Sequence, residues 1–276
     1  MLKTKFVMSM ALAVALFTST ATPSLAAGMK EQKAASNVNE VSNKYIEMIE
    51  VDSSGSDLAN VLKNLSDSED IKGALDTEKL EVMESIIESA PQNSQDEYFE
   101  IKDRELKNAL SIDMNIDESY IHEDIELSDG TTVELEITDQ VDSINRSVSL
   151  SPYRGEAKDY GDRKYTATAK IKSLGITVVT LQLGTHYTVG NSGLKMRYLS
   201  TSGTSGTSLG DVTVANTKTT TASATSVGST LKGMASYKLT GKLNNGYIEL
   251  RSSIKLEKLD KSKKYAYVYQ SYVYSD

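Results

Sequence analysis

The sequence predicts an α+β protein: an acidic N-terminal helical region plus a β-hairpin, followed by an antiparallel all-β, sandwich-like C-terminal domain. Apolar residues recur at helical spacing from about 37 to 112, then at alternate positions from about 118 onward. Charge is sorted along the chain. Residues 28–150 hold 30 Asp/Glu against 10 Lys/Arg, and residues 151–276 hold 8 against 18. There is no Cys, which excludes a disulfide framework and any thiolate site.

Residues 1–26 have the parts of a secretory signal peptide. Lys3 and Lys5 precede an apolar run from Phe6 to Phe17, and Ser24-Leu25-Ala26 offers a small-residue cleavage site between Ala26 and Ala27. The run is too short to span a bilayer, and no later segment of the mature chain is apolar enough to do so. The expectation is a secreted, extracellular bacterial protein, with attachment to the cell wall as one outcome.

The acidic region, 27–112, reads as four helices. Asn37 is placed to cap the first, whose stripe is Val38, Val41, Tyr45, Met48 and Ile49. Asp57 opens the second, with Leu58, Val61, Leu62 and Leu65 on one face. Leu80, Met83, Ile86 and Ile87 mark a third, stopped at Ala90-Pro91, and a fourth runs from about Gln95 to Leu110. Short helices with one apolar stripe need each other or another surface to be stable.

Residues 113–150 hold a hairpin and the start of a connector. Ile121, Ile125 and Leu127 alternate with polar residues, as do Val133, Leu135 and Ile137. A two-residue Asp129-Gly130 loop would put Ile125 opposite Glu134, on mismatched faces. A three-residue loop with Gly130 at positive φ pairs Ile125 with Val133 and Ile121 with Ile137.

From 140 to 163, Pro152, Gly155 and Gly161 interrupt any period. The basic domain, 151–276, then alternates through Tyr165–Ile171, Val179–Val189, Leu194-x-Met196-x-Tyr198, Ala235–Leu239, Ile248–Leu256 and a tyrosine-rich final strand. Between 200 and 230 lie 17 Ser/Thr among 31 residues, which reads as one or two polar strands joined by turns.

No nucleophile elbow, phosphate-binding Gly-rich loop or zinc cluster is present, and only two histidines exist. No catalytic residue, cofactor or metal ligand is assigned. Three groups remain as candidates. His122, Asp124, Glu126, Glu134 and Glu136 share one hairpin face, an acidic patch in which the carboxylates favour the imidazolium. Lys261, Lys263 and Lys264, with Tyr265, Tyr267 and Tyr269, form a basic and aromatic surface-binding candidate. Asp113-x-Asn115-x-Asp117 resembles the opening of a calcium loop, but Glu118 stands where such a loop requires Gly. His186 falls on the polar face of its strand, beside Gln182 and Thr188.

The expected role is non-enzymatic binding, with the basic domain contacting an anionic cell-wall polymer or lipid headgroups. No motif supports specific nucleic-acid recognition. One alternative is a toxin or effector precursor whose acidic half docks on the basic half and masks it. A second is a hydrolase built on two carboxylates.

Overall fold

The computed structural model describes residues 38–110, 113–116, 120–141, 156–206, 210–241 and 246–274. The expected cleavage site at Ala26 and Ala27, the Asn37 cap and most of the connector lie outside them. The α+β class is observed: four helices precede and flank two antiparallel sheets.

Residues 38–46 form α1. Helix α2, Gly55–Asp67, starts two residues before Asp57 because Ser54 is the cap. The Ser54 hydroxyl accepts from Asp57 N–H, and the Asp57 carboxylate accepts from Ser54 N–H at 2.8 Å. A 3-10 turn, Glu69–Ile71, leads to α3, Asp76–Ser89, which stops before Pro91 as expected. Helix α4 runs Gln92–Leu110. Leu58, Leu62, Leu65, Val82, Met83, Ile86 and Tyr98 form their common core.

The strands are β1 Asp113–Ile116, β2 Tyr120–Glu126, β3 Thr132–Val141, β4 Glu156–Asp159, β5 Gly161–Ser173 and β6 Ile176–Gly190. They continue as β7 Gly193–Ser205, β8 Gly210–Thr221, β9 Ser223–Ala224, β10 Thr230–Gly241, β11 Gly246–Asp260 and β12 Tyr265–Tyr274. Sheet A has the order β1-β12-β11-β10-β8, with β4 also on β12, end to end with β1. Sheet B has the order β2-β3-β5-β6-β7-β9.

The two sheets share one core, fed by alternate residues of each strand: Ala167, Ala169, Leu181, Leu183 and Val189 from one side, Leu231, Ala235, Leu250, Ile254 and Val268 from the other. Each large aliphatic chain so buried stabilises the fold by about 2 kcal/mol. Two polar links cross the layer. Thr185 and Ser252 hydroxyls lie 2.7 Å apart, and the Tyr237 hydroxyl donates to the Gln182 carbonyl.

The hairpin has the expected register, with Ile125 opposite Val133, Ile121 opposite Ile137 and Gly130 at φ 77°. It forms the edge of sheet B, since β3 pairs with β5. The helices dock at that end. Leu106, Ala109 and Leu110 of α4 join the sandwich core, and Leu174 of the β5–β6 turn enters the helical core. That two-residue turn puts Leu174 at φ 52° and Gly175 at 78°, the pair of positive values a tight hairpin requires. Helices and sandwich belong to one compact unit, Val38–Asp276.

One alternation breaks. Leu194 and Met196 face inward but Tyr198 does not: it is 54% exposed. Tyr187 pairs with Met196 and His186 with Tyr198, so Arg197 is an extra residue. This bulge turns Tyr198 outward and brings Leu199 against the core.

Candidate functional site

The outer face of sheet A gathers cations from three strands. On β11, Ile248, Leu250, Ser252, Ile254 and Leu256 point inward, which leaves Tyr247, Glu249, Arg251, Ser253 and Lys255 outside. Pairing then assembles rows across the face. Lys218 of β8, Met234 of β10 and Arg251 of β11 form one. Beside it lie Thr221, Lys232 and Ser253, and beyond them Thr230, Lys255 and Tyr269. In the other direction Thr213, Lys238 and Tyr247 share a row.

Lys258 follows a bulge at Glu257 and lies over the Tyr267 ring, 5.8 Å from its centroid. The face therefore holds six cations, Lys218, Lys232, Lys238, Arg251, Lys255 and Lys258, against Asp211, Glu249, Glu257 and Asp260, with Asp159 of β4 and Asp113 of β1 on the far side of β12. From the row of Tyr247 to that of Lys255 is eight residues on β11, or roughly 27 Å at about 3.4 Å per residue. Arg251 pairs with Glu249 at 2.8 Å and Lys255 with Glu257 at 2.7 Å. Lys218, Lys232 and Lys238 are exposed and form no ion pair among the described residues.

The turn between β11 and β12 adds Lys261, Lys263 and Lys264, all exposed. Asp260 shapes it by accepting from the N–H groups of Ser262 and Lys263, at 3.1 and 3.0 Å, and Lys264 takes φ 57°. These contacts hold the Asp260 carboxyl below its ordinary range, the Ser262 hydroxyl first among them. Of the three tyrosines expected here, Tyr265 and Tyr269 are half-buried, but Tyr267 is only 4% exposed and stands edge-on to Tyr265 at 5.3 Å. Tyr267 is a packing residue, covered by Lys258 and Tyr265.

The acidic patch is assembled as expected, with His122 across from Glu136 and Asp124 across from Glu134. It is a mixed-charge face, however, because β5 places lysines beside it. Glu134 accepts from Lys170 at 2.7 Å and from Lys172, and those hydrogen bonds hold its carboxyl at about 2. Lys170 also lies 3.6 Å from Glu136, Lys63 of α2 pairs with Glu126, and His122 Nε2 lies 3.2 Å from Asp124. Among the described residues no group of three or more His, Asp or Glu is arranged to hold a metal ion. Asp113 and Asn115 belong to strand β1, paired with β12, instead of a cation-binding loop.

Two of the sandwich carboxylates have local partners. Asp162 accepts from Thr188 at 2.6 Å and from Arg197, and Glu249 accepts from Ser236 and Arg251.

No family model, curated protein or solved structure matches the chain. No helix among the described residues is long and apolar enough to cross a membrane.

Proposed function

We propose that the protein is a non-enzymatic, exported binding protein whose sheet A outer face holds anionic polymer or anionic headgroups at the cell envelope. The observation that carries this reading is the row structure around Met234. Lys218, Lys232 and Arg251 come from three strands and meet within one to two strand spacings, and Lys218 and Lys232 form no ion pair among the described residues. A flat cationic field of this kind attracts a polyanion over about 8 Å at physiological salt, and its strength falls as salt rises. Lys218, Lys232 and Lys238 are exposed with the described helices in place.

The test is co-sedimentation of the full chain with purified cell walls, with anionic vesicles and with zwitterionic vesicles, across a salt series. Pelleting with the walls or anionic vesicles at low salt, released by salt, is the expected result. The triple variant Lys218→Glu, Lys232→Glu, Lys238→Glu should then stay in the supernatant. Equal pelleting of wild type and variant would overturn the assignment to this face, and no pelleting with any partner would overturn the function. A preference for walls over vesicles identifies the polymer as the ligand.

A further inference from the structure

On the opposite side of the molecule, β5, β6 and β7 bring together polar side chains that the reading above does not use. Pairing sets Thr166 opposite Gly184 and Lys164 opposite His186. On the far side of β6 it sets Gly184 opposite Ser200 and His186 opposite Tyr198. The His186 ring stacks on Tyr198, with centroids 4.0 Å apart and planes 18° from parallel, and its Nε2 lies 3.1 Å from Ser200 Oγ.

Gly184 is what admits this cluster. A Cβ at that position would lie 2.3 Å from Ser200 Oγ and 3.3 Å from Lys164 Cε, so both side chains lean over the bare backbone. Thr166, directly across, is 5% exposed, and its Oγ1 is buried without a hydrogen-bond partner among the described residues. A buried hydroxyl in that state costs free energy unless a group from outside the chain satisfies it.

The surrounding charges select the kind of group. Lys164 makes no ion pair among the described residues. In the next row Asp162 is already engaged by Thr188 and Arg197. On the other side Glu136 is engaged by Lys170. What converges on Gly184 is therefore one uncompensated ammonium, two hydroxyls and an imidazole, all able to donate. An acceptor-only ligand with negative charge fits that set, as charge-assisted hydrogen bonds are the strong ones.

We propose that Lys164, Thr166, His186 and Ser200 form a binding site for one tetrahedral oxyanion, the sulfate or phosphate group of an ester or the free ion. Lys164 supplies the charge and Thr166 and Ser200 the hydroxyl donors. His186, held in plane by Tyr198, donates to Ser200 and frees the serine proton for the ligand. The site lies on sheet B and stands or falls independently of polymer binding by sheet A.

The test is direct because the full chain has only two imidazoles, whose ring-proton signals His122→Gln assigns. Sulfate is titrated against chloride at constant ionic strength. Sulfate should shift the His186 signals saturably and raise the pH of its titration by about one unit, since a nearby anion favours the imidazolium, while His122 stays put. Lys164→Gln should weaken sulfate binding about tenfold. Thr166→Val, which keeps the shape of the side chain, should weaken it as well with an unchanged circular dichroism spectrum. An identical His186 titration in sulfate and chloride would overturn the proposal. So would both histidines moving together, which is screening, or an unaltered response in Lys164→Gln. Inorganic phosphate compared with glycerol phosphate then distinguishes the sources: tighter binding of the ester identifies an ester as the ligand, and tighter binding of the inorganic ion identifies the free anion.

Discussion

Lys102 Nζ lies 2.5 Å from Asp129 Oδ2, with both side chains almost wholly removed from solvent, so a single ion pair joins helix α4 to the tip of the β2–β3 hairpin. The Tyr98 hydroxyl donates to the same carboxylate at 2.8 Å, and Lys102 also donates to Thr131 Oγ1 at 2.9 Å. Burying two charges is expensive, and the pair is tolerated because every partner is present. Removing one member leaves the other stranded. Asp129→Asn should destabilise the protein by about 3 kcal/mol in urea unfolding. Replacing both, as Lys102→Met with Asp129→Leu, should cost less than either single change. A double variant as unstable as the sum of the singles would show that the pair has no coupling.

The same pair gives the fold an acid limit. Burial pushes the Asp129 carboxyl up, but the Lys102 charge and hydrogen bonds from Lys102, Thr131 and Tyr98 outweigh it and hold the group at about 2. Glu134 is likewise at about 2, through Lys170 and Lys172. Both values are depressed from the ordinary 3.8 and 4.5, so the unfolded chain binds protons first. The stability these groups contribute is complete above pH 4.5 and drains away as pH falls toward 2. Melting temperature followed by circular dichroism should be insensitive to these two groups between pH 7 and about 5, then drop, with a shallower drop in the Lys102→Met, Asp129→Leu variant.

Gly55 fixes the approach of α2 to α4. A Cβ there would lie 2.4 Å from the Tyr98 nitrogen and 2.6 Å from the Glu97 carbonyl carbon, backbone atoms that cannot step aside. Its N–H also donates to Glu97 Oε2 at 2.8 Å. Gly55→Ala, ordinarily favourable within a helix, should here cost about 2 kcal/mol by prying the helices apart. Thermal unfolding of the single variant decides it, and a stabilised protein would contradict the packing described.

Turn and sheet lysines should differ in what they contribute to polymer binding. Lys261, Lys263 and Lys264 project from a turn, whereas Lys218, Lys232 and Lys238 are spaced by strand pairing. Neutralising the turn trio to Gln should reduce the salt slope of binding and leave a substantial part of it. The same change to the sheet trio should remove most of it. Parallel salt titrations of the two triple variants provide the comparison.

The parts of this fold that could be read from the chain are those ruled by local periods. The hairpin register follows from Ile125, Val133 and Gly130 alone, because a one-residue slip would have turned every apolar side chain to water. The helical stripe Leu58, Val61, Leu62 and Leu65 is buried in full. Tyr198 was not readable, since the extra residue Arg197 flips the alternation only once β6 and β7 are paired. Nor was the cationic face, whose lysines are scattered over β8, β10 and β11 with no common spacing. The acidic patch was visible on β2 and β3, but its neutralising Lys170 and Lys172 come from a strand more than 30 residues away.

A hairpin tip is normally where a chain accepts foreign sequence, because its residues face water and bond to little else. Here the Ser128–Gly130 tip is wedged beneath a helix, with Ser128 N–H donating to Glu105 at 3.0 Å and a Cβ on Gly130 set to strike Ser66 at 2.9 Å. An epitope tag inserted between Asp129 and Gly130 should therefore abolish soluble expression. The same tag between Lys261 and Ser262, at the open β11–β12 turn, should leave the protein folded, making that turn the place to attach a label or an immobilisation handle.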